Sequence, residues 1–410
     1  MMRLLLLIPS TSYRVSDFLS AAHRLGVDVT VGSDEQQVLE SISDSGTIKL
    51  DFSDPEKAAG EIGGFHASYP ISAVVAVDDI TCVIAAIASK KLGLPHNDPA
   101  AVRVTGNKML LREVLTKADL PSPKHQTLAL DVDPKISAGL VDYPCVLKPL
   151  NLSASRGVIR ANDKAEFCTA FNRIKKLLQS LATTQMEILI EEYIEGEEVA
   201  LEGLMVNGKL TVLALFDKPD PLEGPYFEET IYITPSRLPA DIQNSIKNLT
   251  EQSANAIGLK EGPIHAELRT RIDARNSNKA GPWLIEIAAR SVGGLCSRSL
   301  SFSNQLTLED IILRHAIGEP VFPDRESSAS GVMMIPIPNA GVLKRVDGTL
   351  VAQAVPGITE ITISIALGQE VLPLPEGDKY LGFIFAKAVT PEEVETALRQ
   401  AHDKLSIEIN

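Results

Sequence analysis

The chain has 410 residues, 44% of them hydrophobic, with 25 Pro and 27 Gly spread throughout, which bounds it as a soluble globular protein with room for two or three cores. Its formal net charge of −14 argues against general binding to nucleic acid or to an anionic membrane, while leaving room for one local basic pocket. Cys82, Cys145, Cys168 and Cys296 stand far apart with neither disulfide nor zinc spacing, which fits a reducing cytosol.

Residues 3–8 (RLLLLI) predict a buried parallel strand; the run meets Pro9 at once and is too short for a signal-peptide core. Ser16–Leu25 reads as an amphipathic helix ended by Gly26, and Val27–Val31 and Ala73–Val77 as two further strands. Asp78 and Asp79 interrupt the apolar stretch Ile71–Ala88, which rules against a membrane span. They stand where they would cap a helix running through Lys91. Strands alternating with helices predict a small α/β layer domain over the first hundred or so residues.

After Asn107 the pattern changes. Lys108–Ala118 is helical, PSPKHQTL extended, Tyr143–Pro149 a strand, NLSASRG a loop and VIRA the return strand. Ala165–Leu181 is an amphipathic helix, Glu187–Tyr193 a strand, and Val199–Val206 pairs with Leu210–Phe216 through an Asn207–Gly208 turn. Asp241–Ile257 and Leu308–Ile317 are helices. The last eighty or so residues are strand-rich and close with a helix, Pro391–Lys404, with Pro391 in its first turn.

The most informative pair is Glu267 and Glu286. Each lies on an apolar strand, GPIHAELRTRI and PWLIEIAARSVGG, joined by the turn-forming DARNSNKAGP. A turn centred near Asn276–Ser277 places the two glutamates opposite each other. Alternation then puts His265, Glu267 and Arg269 on one face, and Glu286, Ala288 and Arg290 on the other strand's matching face. Opposed like charges are destabilising. Either a hard cation such as Mg²⁺ or Mn²⁺ lies between them, with phosphate supplying its other ligands, or arginines neutralise them in a structural salt-bridge cluster. His265 on the same face is a catalyst or a packing residue.

Lys148 lies inside the strand YPCVLKP, so it either binds an anion or reaches solvent along its stem. The loop that follows, residues 151–157, has small and hydroxyl residues whose backbone N–H groups can meet phosphate; the same composition also suits an ordinary hairpin loop. Neither a P-loop nor a dinucleotide-binding fingerprint is present. The EEYIEGEE segment ends a strand, where backbone can meet an adenine edge and a carboxylate can hold ribose; it can equally be an acidic solvated turn. Arg290 is a stabiliser of developing negative charge or the partner of a glutamate.

In order, GNKMLLREVL, YPCVLKPLNLSASRG, ILIEEYIEGEEVALEG, GPIHAELR and LIEIAARSVGG resemble the motifs of the ATP-grasp superfamily over roughly residues 100–325. Within it, GPIHAELR, KPDPLEGPYFEETIYITP and EIAARSVGG look most like the L-amino acid ligase group of carboxylate–amine ligases. The resemblance implies an α/β (α+β overall) architecture: an N-terminal α/β domain over 1–105, a small ATP-grasp subdomain over 106–190, a large one with the metal site over 191–325, and a C-terminal β-rich domain over 326–410. It implies that Lys108 and Lys148 bind ATP phosphates, with Ser153, Ser155, Arg156 and Gly157 in the loop that closes over them. Glu191, Tyr193 and Ile194 would hold the adenine edge and Glu198 the ribose. Glu267 and Glu286 would hold Mg²⁺ or Mn²⁺, and Arg290 and His265 would be catalytic. Glu229, Gly293 and Gly294 would meet substrate. Two departures stand out: Ala288 replaces an Asn often found two residues after the second metal glutamate, and the loop is poor in glycine.

The implied reaction joins an amino acid carboxylate, activated as an acyl-phosphate, to an amine, releasing ADP and phosphate. The expected partners are an amino acid and an amine, with no nucleic acid or membrane, in a cytoplasmic enzyme that forms a homodimer. The alternatives are a purine-biosynthesis or biotin-carboxylase-like member of the superfamily, and a non-catalytic nucleotide-binding regulatory protein.

Overall fold

Leu4, Leu5, Leu6 and Leu7 are fully buried, and the strand Arg3–Leu7 accordingly takes an interior place in a parallel sheet. A strand covered on both faces needs such an uninterrupted apolar run. Asp28–Ser33 and Ala73–Ala76 flank it, and Thr47–Lys49 lies outermost beyond Asp28–Ser33. Helices Val15–Leu25, Pro55–Ser68 and Asp79–Leu92 connect and cover these strands. The first ends at Gly26, whose left-handed φ of 67° closes the last turn. The computed structural model describes residues 2–35, 46–181, 183, 185–271, 281–321 and 323–410.

One expectation in this domain is corrected. Asp78 occupies the N-cap position of helix Asp79–Leu92, but its side chain makes no capping hydrogen bond. The Asp79 carboxylate is instead drawn to Arg290, a charged partner stronger than a neutral amide.

A four-stranded antiparallel sheet follows, ordered His125–Ala129, Glu187–Glu192, Cys145–Pro149, Ile159–Ala161. Helix Lys164–Ser180, capped by Asp163, buries Phe167, Phe171 and Ile174 against Leu147, Ile188 and Ile190. Residues 150–158 join its last two strands, so Lys148 sits at the mouth of a loop.

The largest sheet has eight strands. It begins with Trp283–Ala288, Gly262–Thr270, Glu197–Val206 and Lys209–Asp217, then passes through Ile231–Thr234 to Ala329–Ile335, Gly382–Ala388 and Ile358–Ile363. Helix Ala240–Ile257 packs Ile246, Leu249 and Ala254 on one face, while Leu308, Ile311 and Ile312 share a core with the N-terminal strands on the other. The expected division at 325/326 therefore falls between strands of one sheet. The division at 190/191 falls inside strand Glu187–Glu192.

The turn Asn207–Gly208 forms as expected, with φ of 50° and 77°. The C-terminal helix Pro391–His402 carries a Thr390–Glu393 capping box. It does not close the chain: Ser406–Ile409 follows as a strand paired with Gly341–Asp347. The alternating SIEI tail offers one apolar face to that sheet. Among the described residues no helix is long and apolar enough to cross a membrane. All four cysteines are free thiols.

Candidate functional site

The glutamate hairpin forms the floor. Glu267 pairs in register with Glu286, and His265 with Ala288. The expected turn at Asn276–Ser277 lies outside the described residues. Each glutamate has its own cation. Lys108 Nζ lies 3.4 Å from Glu286 and also donates to Leu152 O at 2.6 Å. Lys218 Nζ lies 3.4 Å from Glu267 and 2.8 Å from Glu198, and contacts Glu229 as well. Among the described residues no arginine neutralises the pair.

Carboxylate oxygens of Glu198, Glu229 and Glu267 all lie within 4.8 Å of one another. An all-oxygen donor set this close fits Mg²⁺ in donor type, although Glu286 is not one of the three and Lys218 Nζ contacts all of them. Glu198, expected at the ribose, thus belongs to the acidic floor, where Arg269 Nε also donates to it at 2.8 Å. Glu229 accepts from Lys218 and from Tyr232 OH, the latter at 2.9 Å.

Burial lifts the Glu229 carboxyl to about 7, and negative Glu267 beside it pushes the same way. Burial acts on Glu267 in that sense too, but Lys218 and His265 outweigh it and hold Glu267 well below the carboxylate range. Of the two coupled acids, Glu229 takes up a proton more readily than Glu267. Burial alone would lower His265. Glu202, 3.2 Å from Nδ1, and Glu267, 3.9 Å from Nε2, raise it to about 9.

Lys148 is buried and does not reach solvent. It stands 2.6 Å from Glu191, which also accepts from Arg112 Nε at 2.6 Å. Glu191 is therefore a buried ion-pair centre. Tyr193 lies beneath the Arg160 and Arg269 guanidinium groups, at 4.0 and 5.1 Å. Its N–H donates to Pro144 O, and Ile194 O accepts from Arg269, while Ile194 N–H has no acceptor among the described residues and is open to a ligand edge.

The loop after Lys148 is divided in its contacts. Ser153, Ala154 and Ser155 line the cavity, and their N–H groups have no acceptor among the described residues. Arg156 and Gly157, expected beside them, turn the other way. Arg156 Nε donates to Glu376 O and Gly157 N–H to Pro375 O, each at 2.8 Å.

At the far end, Arg290 grips Asp79 with two hydrogen bonds, at 2.8 and 2.7 Å. Gly293 and Gly294 follow it and line the same wall. The turn between them is clasped from the N-terminal domain by buried Arg14, which donates to Ser291 Oγ at 2.8 Å, Val292 O at 3.0 Å and Glu309 at 3.0 Å. One cavity of about 470 Å³ runs from Lys148 and Tyr193 over the glutamate floor to Arg290, Asp378 and Tyr380.

Residues 141–299 match the ATP-grasp domain, residues 19–96 the ATP-grasp N-terminal domain, and residues 333–410 the L-amino acid ligase C-terminal domain 2. The chain belongs to the ATP-grasp superfamily. This ATP-grasp chain is similar in fold to the L-amino acid ligase from Bacillus licheniformis, with a TM-score of 0.80 at 24% identity, covering 100% of this chain and 99% of that one. In sequence it is similar to alanine–anticapsin ligase of Bacillus subtilis, 26% identical over 255 residues, which are 58% of this chain and 52% of the ligase. It is also similar to protein y4rH of Sinorhizobium fredii, 21% identical over 416 residues, covering 100% of this chain and 84% of that protein. The chain thus spans about half the length of the ligase it matches. The expected ATP-grasp fold is the one observed, and the ligase class expected for it is that of its relatives named by activity.

Sequence reasoning missed Lys218, Arg112 and Asp79 as parts of this ATP-grasp site. Arg112 left a signal: it lies four residues after Lys108 on one helix, so both cations share a face. Lys218 left a weaker one, a charge closing the apolar strand Lys209–Asp217.

Proposed function

We propose that this ATP-grasp chain is an ATP-dependent ligase that joins the carboxylate of an amino acid to an amine, which is itself a second amino acid. The observation that carries the reading is the continuous cavity: nucleotide-type groups and acceptor-type groups line one space. At one end Lys108, Lys148 and the free amides of Ser153–Ser155 attract a polyphosphate, with Tyr193 and Ile194 N–H beside its base. Glu267 and Glu286 would hold Mg²⁺, with Glu198 and Glu229 adjacent. Bound there, the ion supplies charge neutralisation for the phosphates.

At the other end Arg290, steadied by Asp79, faces the carboxylate that receives the phosphoryl group. Its oxygen attacks the terminal phosphorus of ATP and ADP leaves. The amine then attacks the acyl carbon: the carbon–nitrogen bond forms, the acyl C–O bond breaks, phosphate leaves carrying that oxygen, and the amine gives up a proton to the departing phosphate. Glu229 offers an acceptor to a substrate amino group. Enclosure of both substrates in one cavity brings the reacting atoms together and keeps water out. The same reading has the chain act in the cytoplasm on small molecules, as a homodimer that light scattering can check.

The test is a phosphate-release screen over pairs of amino acids with Mg-ATP, with product identified by mass. Release that needs both an acid and an amine, and a hydroxamate when hydroxylamine replaces the amine, supports the ligase. Turnover only with bicarbonate, formate or a ribonucleotide would place the chain on another branch of the superfamily. Calorimetric Mg-ATP binding without turnover for any pair would make it a nucleotide-binding regulator.

A further inference from the structure

The phosphate loop is held from outside its own subdomain. Ala154, Ser155 and Gly157 all have positive φ, at 55°, 53° and 72°, and the first two are not glycines. Such a backbone persists only when its surroundings hold it. Within the loop, Arg156 N–H donates to Ser153 O and Val158 N–H to Ser155 O. The first half of the loop is tied to Lys108, whose Nζ donates to Leu152 O at 2.6 Å; the outside ties of Arg156 and Gly157 run to residues 375–378. Pro375 O and Glu376 O accept from Gly157 and Arg156, and Asp378 lies 3.3 Å from Arg156 Nη1.

That segment is in turn pinned to the subdomain carrying the loop. Arg173, on helix Lys164–Ser180, donates to both carboxylate oxygens of Glu376, at 2.5 and 2.8 Å. Its third nitrogen donates to Tyr226 OH. The paired Arg173 guanidinium holds the Glu376 carboxyl below its ordinary range. The strap, residues 373–380, also carries Asp378 and Tyr380, which line the acceptor end of the cavity. One short segment therefore grips the phosphate loop with its carbonyls and shapes the acceptor wall with its side chains.

We propose that Glu376 and Arg173 are positioning residues for the phosphate loop. Their ion pair fixes the strap, residues 373–380, against the small subdomain, so that closing over nucleotide and shaping the acceptor wall are one movement. The inference rests on the ATP-site reading above. The pair is more than a third exposed on both sides, so it contributes little to global stability. Its consequence is local order around the loop.

The test uses the full chain with Mg²⁺ and a non-hydrolysable ATP analogue, following hydrogen exchange by peptide and affinity by calorimetry. In the unaltered chain the analogue should slow exchange in both 151–158 and 373–380. In Glu376→Gln and in Arg173→Met it should bind about two- to fivefold more weakly, the size set by a half-exposed charge pair, and slowing at 373–380 should be lost. Glu376→Asp should recover part of both effects, and all variants should melt within a few degrees of the parent. Protection of 151–158 alone in the unaltered chain would overturn the proposal, as would variants that bind and protect like the parent. Absence of analogue binding to the unaltered chain is a separate result, and it overturns the ATP reading and this inference with it.

Discussion

Glu267 and Glu286 face each other across adjacent strands, yet each leans on a different lysine: Glu267 on Lys218, Glu286 on Lys108. The two cations come from different elements, Lys218 from just past strand Lys209–Asp217 and Lys108 from the start of helix Lys108–Lys117. The floor thus tolerates two opposed carboxylates, and the space above them stays open.

Glu286→Ala should abolish ATP-dependent phosphate release while leaving the fold intact. Its side chain is 32% exposed and its partner Lys108 keeps a bond to Leu152 O, so the stability change should stay within about 1 kcal/mol. Turnover assays beside thermal melts check this. Retained turnover would remove Glu286 from the metal role.

Arg112→Met should be costly to the fold. Arg112 and Glu191 are buried and 2.6 Å apart. The substitution leaves Glu191 with Lys148 alone and should cost roughly 3–5 kcal/mol, read as the shift in urea midpoint multiplied by the slope. A change under about 1 kcal/mol would show that Lys148 suffices.

Glu191 also sets an acid limb. Burial by itself would raise its carboxyl; Arg112 and Lys148 together outweigh burial and hold it at about 2 against an ordinary 4.5. The folded state therefore binds that proton less readily than the unfolded chain. Its contribution, on the order of 3 kcal/mol, is present above pH 4.5 and is lost as pH falls toward 2. Glu191→Gln should be less stable than the parent at neutral pH, and the gap should narrow across that window. Parallel acid limbs in denaturant titrations would contradict this.

Gly157→Ala should weaken nucleotide binding. The position has φ of 72°, and an added Cβ would lie 2.7 Å from Pro149 Cγ and 3.1 Å from Leu177. Backbone strain of about 1–3 kcal/mol would fall on the loop, and calorimetry with an ATP analogue should show roughly a tenfold or greater loss of affinity. Unchanged affinity would mean the loop does not close on nucleotide.

Much of the site was legible because its signals are local. Alternation along two strands put Glu267 and Glu286 face to face. A lysine inside an apolar strand marked Lys148, and the order of five short motifs marked the fold. The contacts that were not legible join residues far apart in the chain. Arg290 to Asp79, Lys218 to Glu267 and Arg173 to Glu376 each cross between elements whose approach no periodicity encodes. The loop from Ser153 to Gly157 read as one phosphate cradle. The structure divides it, because the carbonyls of Pro375 and Glu376 claim its second half.

The sequence by itself determined which residues could carry charge onto the faces of apolar strands, since alternation around Lys148, Glu267 and Glu286 set the side of the sheet each would take. Only the tertiary structure decided which opposite charge each of them meets. Desolvation makes every buried ion seek a partner, but the identity of that partner is set by how sheets and helices pack.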